Sequence, residues 1–298
     1  MNLIQQLLAC LLLLSFATDT HAATPEPKPV QTQPTQKWRT LSPDNTLYLE
    51  TETGKVIIEL AADFSPRHVA HIKKLVRAGF YDGLDFYRVI NNFVVQGGDL
   101  EGQSKLALAK TTLKAEFEHT IDPKAPFTLV QQPDLLAEQT GFIKGFAVGR
   151  SLRENKQWLI SCPGVINLAR SSDINSASSD FAIMIGQAPR HLDRNMSIFG
   201  RIIHGIEHLN FIKRGDKAQG GIIEKQSQRS VIKRMVLASD LPAKEQLNIQ
   251  IEQTDSQHFK QKLQQRRTRE NPFYHHKGNG ALDICYLAVE TRITPNIE

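Results

Sequence analysis

The 298-residue sequence predicts a mainly β fold. Short runs of β-branched and aromatic residues are closed off by Gly, Asn and Pro, the punctuation of strands and tight turns. Three stretches carry the prediction. Residues 47–51 alternate apolar and polar, and 55–60 resume the alternation after a turn at Thr53-Gly54, as a β-hairpin does. Residues 86–99, FYRVINNFVVQGGD, hold two further runs around Asn91-Asn92, and Gly97-Gly98 closes the second. Residues 231–237 form a late strand.

From the start of the chain, residues 7–16 are a Leu-rich run of signal-peptide length, too short to span a bilayer as a helix. Thr20-His21-Ala22 offers a cleavage site with small residues, although no Lys or Arg precedes the run. Residues 1–22 are therefore expected to be a signal peptide, the mature chain to be periplasmic or secreted, and no stable membrane insertion to remain after cleavage. Leu8-Ala9-Cys10 hints at a lipoprotein site, but the apolar run continues past Cys10, which fits cleavage there poorly. Residues 23–44, rich in Pro, Thr and Gln, read as a linker without enough apolar residues to form a core.

Ser65-Pro66 opens a helix, with Ser as N-cap and Pro at the first position; Val69, Ile72 and Val76 share one face and Gly79 ends it. His68 and His71 lie three apart on it, and without a third ligand they read as a surface pair. A second helix is expected over 204–214, with Ile206, Leu209 and Ile212 on one face. Residues 240–298 follow the last predicted strand. Asp255 could cap a short helix carrying Phe259 and Leu263, Arg266-Arg267-Thr268-Arg269 reads as its solvated end, and 271–276 and 285–289 hold enough apolar residues to dock on the main domain. About 58 residues would not bury much core alone, so no second independent domain is expected there.

Composition sets bounds. With 40% hydrophobic residues the chain can build a core, and a net charge of +5 without an aromatic-interleaved basic stripe does not indicate nucleic acid. There is no Gly-rich phosphate loop, no CxxC and no serine in a nucleophile elbow, and neither the lone histidines nor His275-His276 form a metal pattern, so no cofactor or metal is expected. Export would remove Cys10 and leave Cys162 and Cys285 in an oxidising compartment. The two can pair there if their Cα atoms come within range; free buried thiols are the alternative, and the sequence leaves both open.

Side chains on a strand alternate faces, so Arg88 and Ile90 share one face of the first run and Val94 and Gln96 one face of the second. If those faces meet, a guanidinium and a carboxamide sit on a mostly apolar wall; the ordinary alternative is a solvated arginine. The stretch closely resembles the signature of cyclophilins, the peptidyl-prolyl isomerases. In that family the Arg, the Phe after the bend and the Gln before the Gly-Gly pair line the proline-binding cleft, here Arg88, Phe93 and Gln96, with Ile90 and Val94 beside them. The hairpin, first helix and Phe80-Tyr81-Asp82-Gly83 match the start of such a domain. Pro163-Gly164-Val165-Ile166-Asn167-Leu168-Ala169-Arg170 matches the strand that presents a small backbone-exposing segment, Leu168, Ala169 and Arg170, to bound peptide. Phe199-Gly200-Arg201 resembles a further family strand.

Departures are local. Asp180 stands where the family has Gln, and Ala182 where a Phe floors the proline pocket. His191-Leu192-Asp193 matches a Trp-Leu-Asp element with His191 in the Trp position, and Met196 stands where His is common. Residues 102–160 are a long insertion without clear period, in which Ala115-Glu116-Phe117 resembles an acidic-Phe element. The resemblance implies a closed eight-stranded antiparallel β-barrel capped by two α-helices over 45–239, with 240–298 as an extension. It implies a peptidyl-prolyl cis-trans isomerase that takes proline-containing polypeptides. Arg88 would donate to the twisted amide, Phe93 and Leu192 would wall the pocket and Gln96 would bond the substrate; Ala182, His191 and Met196 keep a non-enzymatic peptide-binding module or chaperone as the alternative.

Overall fold

The computed structural model describes residues 37–295, so the expected signal peptide lies outside the described residues. Strand β1 (Trp38–Thr40) falls inside the 23–44 stretch read as a linker. It corrects that boundary: its backbone is paired, with Trp38 opposite Glu252. Strands β2 (Thr46–Thr51) and β3 (Lys55–Leu60) form the first hairpin, Leu47 opposite Ile58 and Leu49 opposite Val56. Helix α1 (Pro66–Arg77) follows, then β4 (Asp85–Ile90) and β5 (Val94–Gly98).

The insertion forms a sheet of its own, β6 (His119–Thr120), β7 (Thr128–Gln131), β8 (Gln139–Ile143), β9 (Phe146–Ser151) and β10 (Lys156–Leu159), in the order β6-β10-β9-β8-β7. Strands β11 (Val165–Leu168), β12 (Phe181–Met184), β13 (Ile198–His204) and β14 (Ser230–Leu237) complete a closed barrel in the order β11-β12-β5-β4-β14-β2-β3-β13. Every barrel pairing is antiparallel. Strand β15 (Leu247–Glu252), helix α2 (Gln257–Thr268) and β16 (Thr291–Pro295) form the extension, whose strands pair with β1 as β1-β15-β16.

Three apolar clusters follow from the alternation. The barrel interior holds Leu47, Leu49, Val56, Ile58, Phe86, Val95, Ile166, Phe181 and Phe199 with Ile72 and Leu75 of α1. Burying each such side chain fully is worth about 1.5–3 kcal/mol. A second cluster joins the inserted sheet to the barrel's outer wall and to α2, where Phe142 and Phe259 meet edge to face at 5.4 Å. A third lies between the extension's sheet and the outer side of β2 and β3, around Tyr48, Ile57, Ile249 and Ile251. Cys162 and Cys285 form a disulfide, which resolves the alternative the sequence left open.

Four local expectations are corrected. Ser65 sits at the N-cap of α1, but its hydroxyl donates to the Ile198 carbonyl at 2.6 Å. Glu116 caps the helix instead, accepting from the backbone N–H of Arg67 and His68 at 3.2 and 3.0 Å and from His68 Nδ1 at 2.6 Å. A carboxylate there also suits the positive helix end. His68 and His71 are therefore buried rather than a surface pair. The cap of α2 is Ser256, one residue past Asp255. Residues 204–214 fold as a 3-10 helix, Ile206–Phe211, not an α-helix. The Arg214 guanidinium takes the carbonyls of Leu209, Asn210 and Ile212, and Ile212 is already extended.

Candidate active site

The site is built on four neighbouring barrel strands. Arg88 on β4 lies opposite Gln96 on β5, Gln96 opposite Ala182 on β12, and Ala182 opposite Asn167 on β11. Directly opposed residues share a face of the sheet. The alternating partners Val95, Phe181, Ile183, Ile166 and Leu168 fill the interior, so this row lies on the outer wall. A register shift between Asp85 and Arg88 matters here. It lets both Phe86 and Val89 point inward and leaves Tyr87 and Arg88 outside, a bulge re-aiming two adjacent side chains. The next outward row, Ile90, Val94 and Met184, belongs with Ala182 to the cluster shared with the inserted sheet, and Phe93 packs against it.

Arg88 is held at two points. Its Nε donates to the Gly220 carbonyl at 2.8 Å and its Nη1 to Gln96 Oε1 at 3.2 Å. Gln96 Nε2 donates to the Tyr87 hydroxyl at 2.6 Å, and that hydroxyl donates to Asp180 Oδ2 at 2.6 Å. Asp180 Oδ1 accepts from the Asp99 N–H at 3.0 Å. This chain fixes the amide of Gln96 with oxygen toward Arg88 and nitrogen toward Tyr87. Burial pushes the Asp180 carboxyl above its ordinary range, against the Tyr87 and Asp99 hydrogen bonds, and burial with the Asp180 charge pushes the Tyr87 phenol up.

The Gly220 carbonyl comes from a segment that sequence reading missed. Residues 215–223 run beside β4, with Val89 N–H bonded to Gly221 O at 2.8 Å and Ile223 N–H to Tyr87 O at 2.8 Å. Gly221 has φ +77° and a Cβ there would overlap Ile90, so only glycine fits. The Gly220-Gly221 pair was the available signal. Tyr87 and Asn167 were also missed. Asn167 is fully buried in the row beside Ala182, and neither atom of its carboxamide has a partner among the described residues.

The other expected residues divide. Phe93 and Leu192 are half-buried, Leu192 on the 3-10 turn Arg190–Leu192, while His191 beside it is exposed. The Leu168 side chain lies inside the barrel, which leaves its backbone as the part a peptide can meet. Ala169 N–H bonds the Asp180 carbonyl at 2.7 Å. The Arg170 guanidinium is engaged by the carbonyls of Asn195 and Ser171 and stands over Phe117 of the insertion, 5.4 Å from the ring centre. Met196 lines a narrow gap with Phe117 and His119. Asp180, two residues before Ala182, is joined to Gln96 of that row through the Tyr87 hydroxyl. Among the described residues no group of His, Cys, Asp and Glu is arranged to hold a metal ion.

Residues 46–237 match the family described as cyclophilin type peptidyl-prolyl cis-trans isomerase/CLD. The chain is 31% identical over 183 residues to a probable peptidyl-prolyl cis-trans isomerase of Brucella suis, covering 61% of this chain and 78% of that one. It is 26% identical over 190 residues to peptidyl-prolyl cis-trans isomerase-like 1 of Mus musculus, covering 63% and 86%. Its structure is similar to the cyclophilin AquaCyp293 of Hirschia baltica, with a TM-score of 0.70, 29% identity, and coverage of 88% of this chain and 95% of that one. That likeness reaches beyond 46–237, into the flanking segments. The outer-wall row of Arg88 and Gln96, the closed eight-stranded barrel and these relatives agree: the chain belongs to the cyclophilin-type peptidyl-prolyl cis-trans isomerases.

Proposed function

We propose that this chain accelerates rotation about X-Pro bonds in exported polypeptides, with Arg88 as the donor to the reacting amide. Rotation faces a barrier of about 18–20 kcal/mol because the C–N bond is partly double. The catalyst must favour the twisted amide, whose proline nitrogen becomes pyramidal and gains a lone pair. A guanidinium N–H donates to that lone pair more strongly than to the planar amide, and such differential binding lowers the barrier. One observation carries this reading. Arg88 Nε and Nη1 are occupied by Gly220 and Gln96, while Nη2 has no hydrogen-bond partner among the described residues, on the wall that holds Ala182 and Phe93. The guanidinium is thus fixed in place with a donor to spare, and Phe93, Leu192 and Ala182 offer the proline ring an apolar surface.

Export is supported by the apolar leader of residues 7–16 and by the disulfide between Cys162 and Cys285, which persists in oxidising compartments. The test is two measurements. Exchange NMR on an Ala-Pro peptide with purified protein reads the isomerisation rate, and a rate equal to that of buffer would sink the catalytic reading. Intact mass of protein from the native host reads the mature start, expected near Ala23; a species retaining residues 1–22 would sink the export reading.

A second reading is a peptide-binding module without catalysis. The observation favouring it is the floor of the row: Ala182 stands where the family's larger ring would, and the carboxamide of Asn167 beside it is buried without a partner. It expects peptide affinity with no exchange enhancement in the same NMR experiment.

A further inference from the structure

Beside the barrel's outer wall lies a cleft of about 820 Å³. It is walled by the insertion, by the loop after β12 and by the extension, with Pro163 just ahead of β11, so most of its lining lies outside the basic barrel. Its base at Gly186 rests directly on the backbone of Asn92, in the bend that carries Phe93. Ile185 N–H bonds the Phe93 carbonyl at 3.0 Å. Arg190, at its wall, is two residues from Leu192. The cleft therefore continues the surface of the proline site.

Its walls are tied together. Arg190 Nη1 pairs with Asp134 of the insertion at 2.8 Å and its Nε with Asp193 at 3.1 Å, all three side chains being less than a tenth exposed. Gln131 Oε1 accepts from the Leu282 N–H of the extension at 3.1 Å. The disulfide fixes Cys285, which lines the cleft, to the segment leading into β11. Pre-organised walls reduce the ordering cost of binding. Against them stand three side chains that packing does not explain: Leu135 is 91% exposed, Leu136 51% and Tyr286 86%, and all three line the cleft. Exposed apolar side chains gathered on one concavity mark an interaction surface.

We propose that this cleft is a second client subsite, taking an apolar side chain of the polypeptide a few residues from the bound X-Pro bond. The occupant follows from the continuity with the proline site, which only a chain already lying there can exploit. The exposed side chains set a preference within that class: Leu135, Leu136 and Tyr286 fit an apolar flank, and the two leucines offer a carboxylate nothing to bond. Binding at both places makes the second contact intramolecular, which raises affinity without a new contact at the proline itself.

This inference rests on the peptide-binding part of the proposed function, and affinity separates the two. Calorimetry would compare an Ala-Ala-Pro-Ala peptide with a twelve-residue peptide holding the same core and single leucines on either side. The parent protein is expected to bind the long peptide at least 10-fold more tightly. The paired variant Leu135→Asp and Leu136→Asp, both at exposed positions, should remove that advantage and leave short-peptide affinity unchanged. A long peptide with glutamates for leucines should bind no better than the short one. Equal affinity of the parent for long and short peptides, or an advantage that survives in the variant, overturns the subsite. A parent that binds as expected but does not isomerise either peptide overturns the catalytic reading alone.

Discussion

Replacing Cys162 and Cys285 together by alanine should destabilise the protein by about 5 kcal/mol, and the figure comes from topology. The bridge joins residues 123 apart in sequence. In the chain-entropy treatment, closing such a loop removes about 16 cal/mol/K from the unfolded chain, or about 5 kcal/mol at 25 °C. Alanine rather than serine is the right replacement, because Cys162 belongs to an apolar cluster and a hydroxyl there would add its own penalty. Urea unfolding followed by circular dichroism measures the change. The slope with urea should rise as well, since an unbridged unfolded chain exposes more surface. The bridge acts on the unfolded state, so turnover of a short X-Pro peptide should stay near the parent value. A loss below about 1 kcal/mol with an unchanged slope would refute the reasoning. It would mean that the unfolded chain keeps the extension against the barrel without the covalent link.

Arg88→Ala should lower turnover of X-Pro peptides by about 10²–10³, as for loss of one transition-state donor, with little change in urea midpoint; Arg88→Lys should not restore it, because a flexible ammonium lacks the planar fork that Gly220 and Gln96 fix in place. An Arg88→Ala protein as active as the parent removes Arg88 from the mechanism. Asp180→Asn permits the amide of Gln96 to reverse through Tyr87 and should lower kcat while leaving KM nearly unchanged, with the Gln96 side-chain amide signals shifted in NMR; an unmoved spectrum would show that the chain does not orient Gln96. Stability should fall on acidification from about pH 6.5, the ordinary histidine value, because burial depresses the pKa of His68, His71 and His119, and groups depressed by folding stabilise above their unfolded pKa and lose that as pH falls. A further fall below about 4.5 belongs to Glu116: burial opposes its charge, but the His68 ring and the backbone N–H groups outweigh burial and hold its carboxyl below the ordinary range. Equal urea midpoints at pH 7.5 and 5.5 would contradict the histidine part, and Glu116→Gln should flatten the lower limb.

The strands that a reader of the sequence can place are those with one wet face. The hairpin of β2 and β3 and the pair β4 and β5 announce themselves because alternation follows from that asymmetry. The inserted sheet does not. Phe142, Ile143, Phe146 and Val148 are all buried, so no wet face marks its period, and Gly141 and Gly149 break the pattern where Phe127 and Trp158 press on the backbone. At the site, Arg88, Phe93 and Gln96 were legible from their spacing with the Gly-Gly pair. Tyr87 was not, because its outward aim depends on the bulge in β4, and a strict two-residue period assigns it to the interior. The capping of α1 was misassigned for a related reason. Ser65 has the right position, but Glu116 arrives from 48 residues beyond His68, and no local window contains both.

The barrel's closure also governs how the chain can fold. Arg234 of β14 reaches Glu50 of β2 across 184 residues, and the Tyr48 hydroxyl accepts from Leu247 across 199. The first hairpin cannot bury its inner or its outer face until segments near the far end of the chain exist. Contacts of such sequence separation carry a large loop-closure cost before they return any stability, which slows folding. A chain emerging from its amino terminus would therefore stay open, with its apolar strands uncovered, until most of its length had appeared. For a protein proposed to act on the slow folding of others, that makes its own assembly a late and cooperative event.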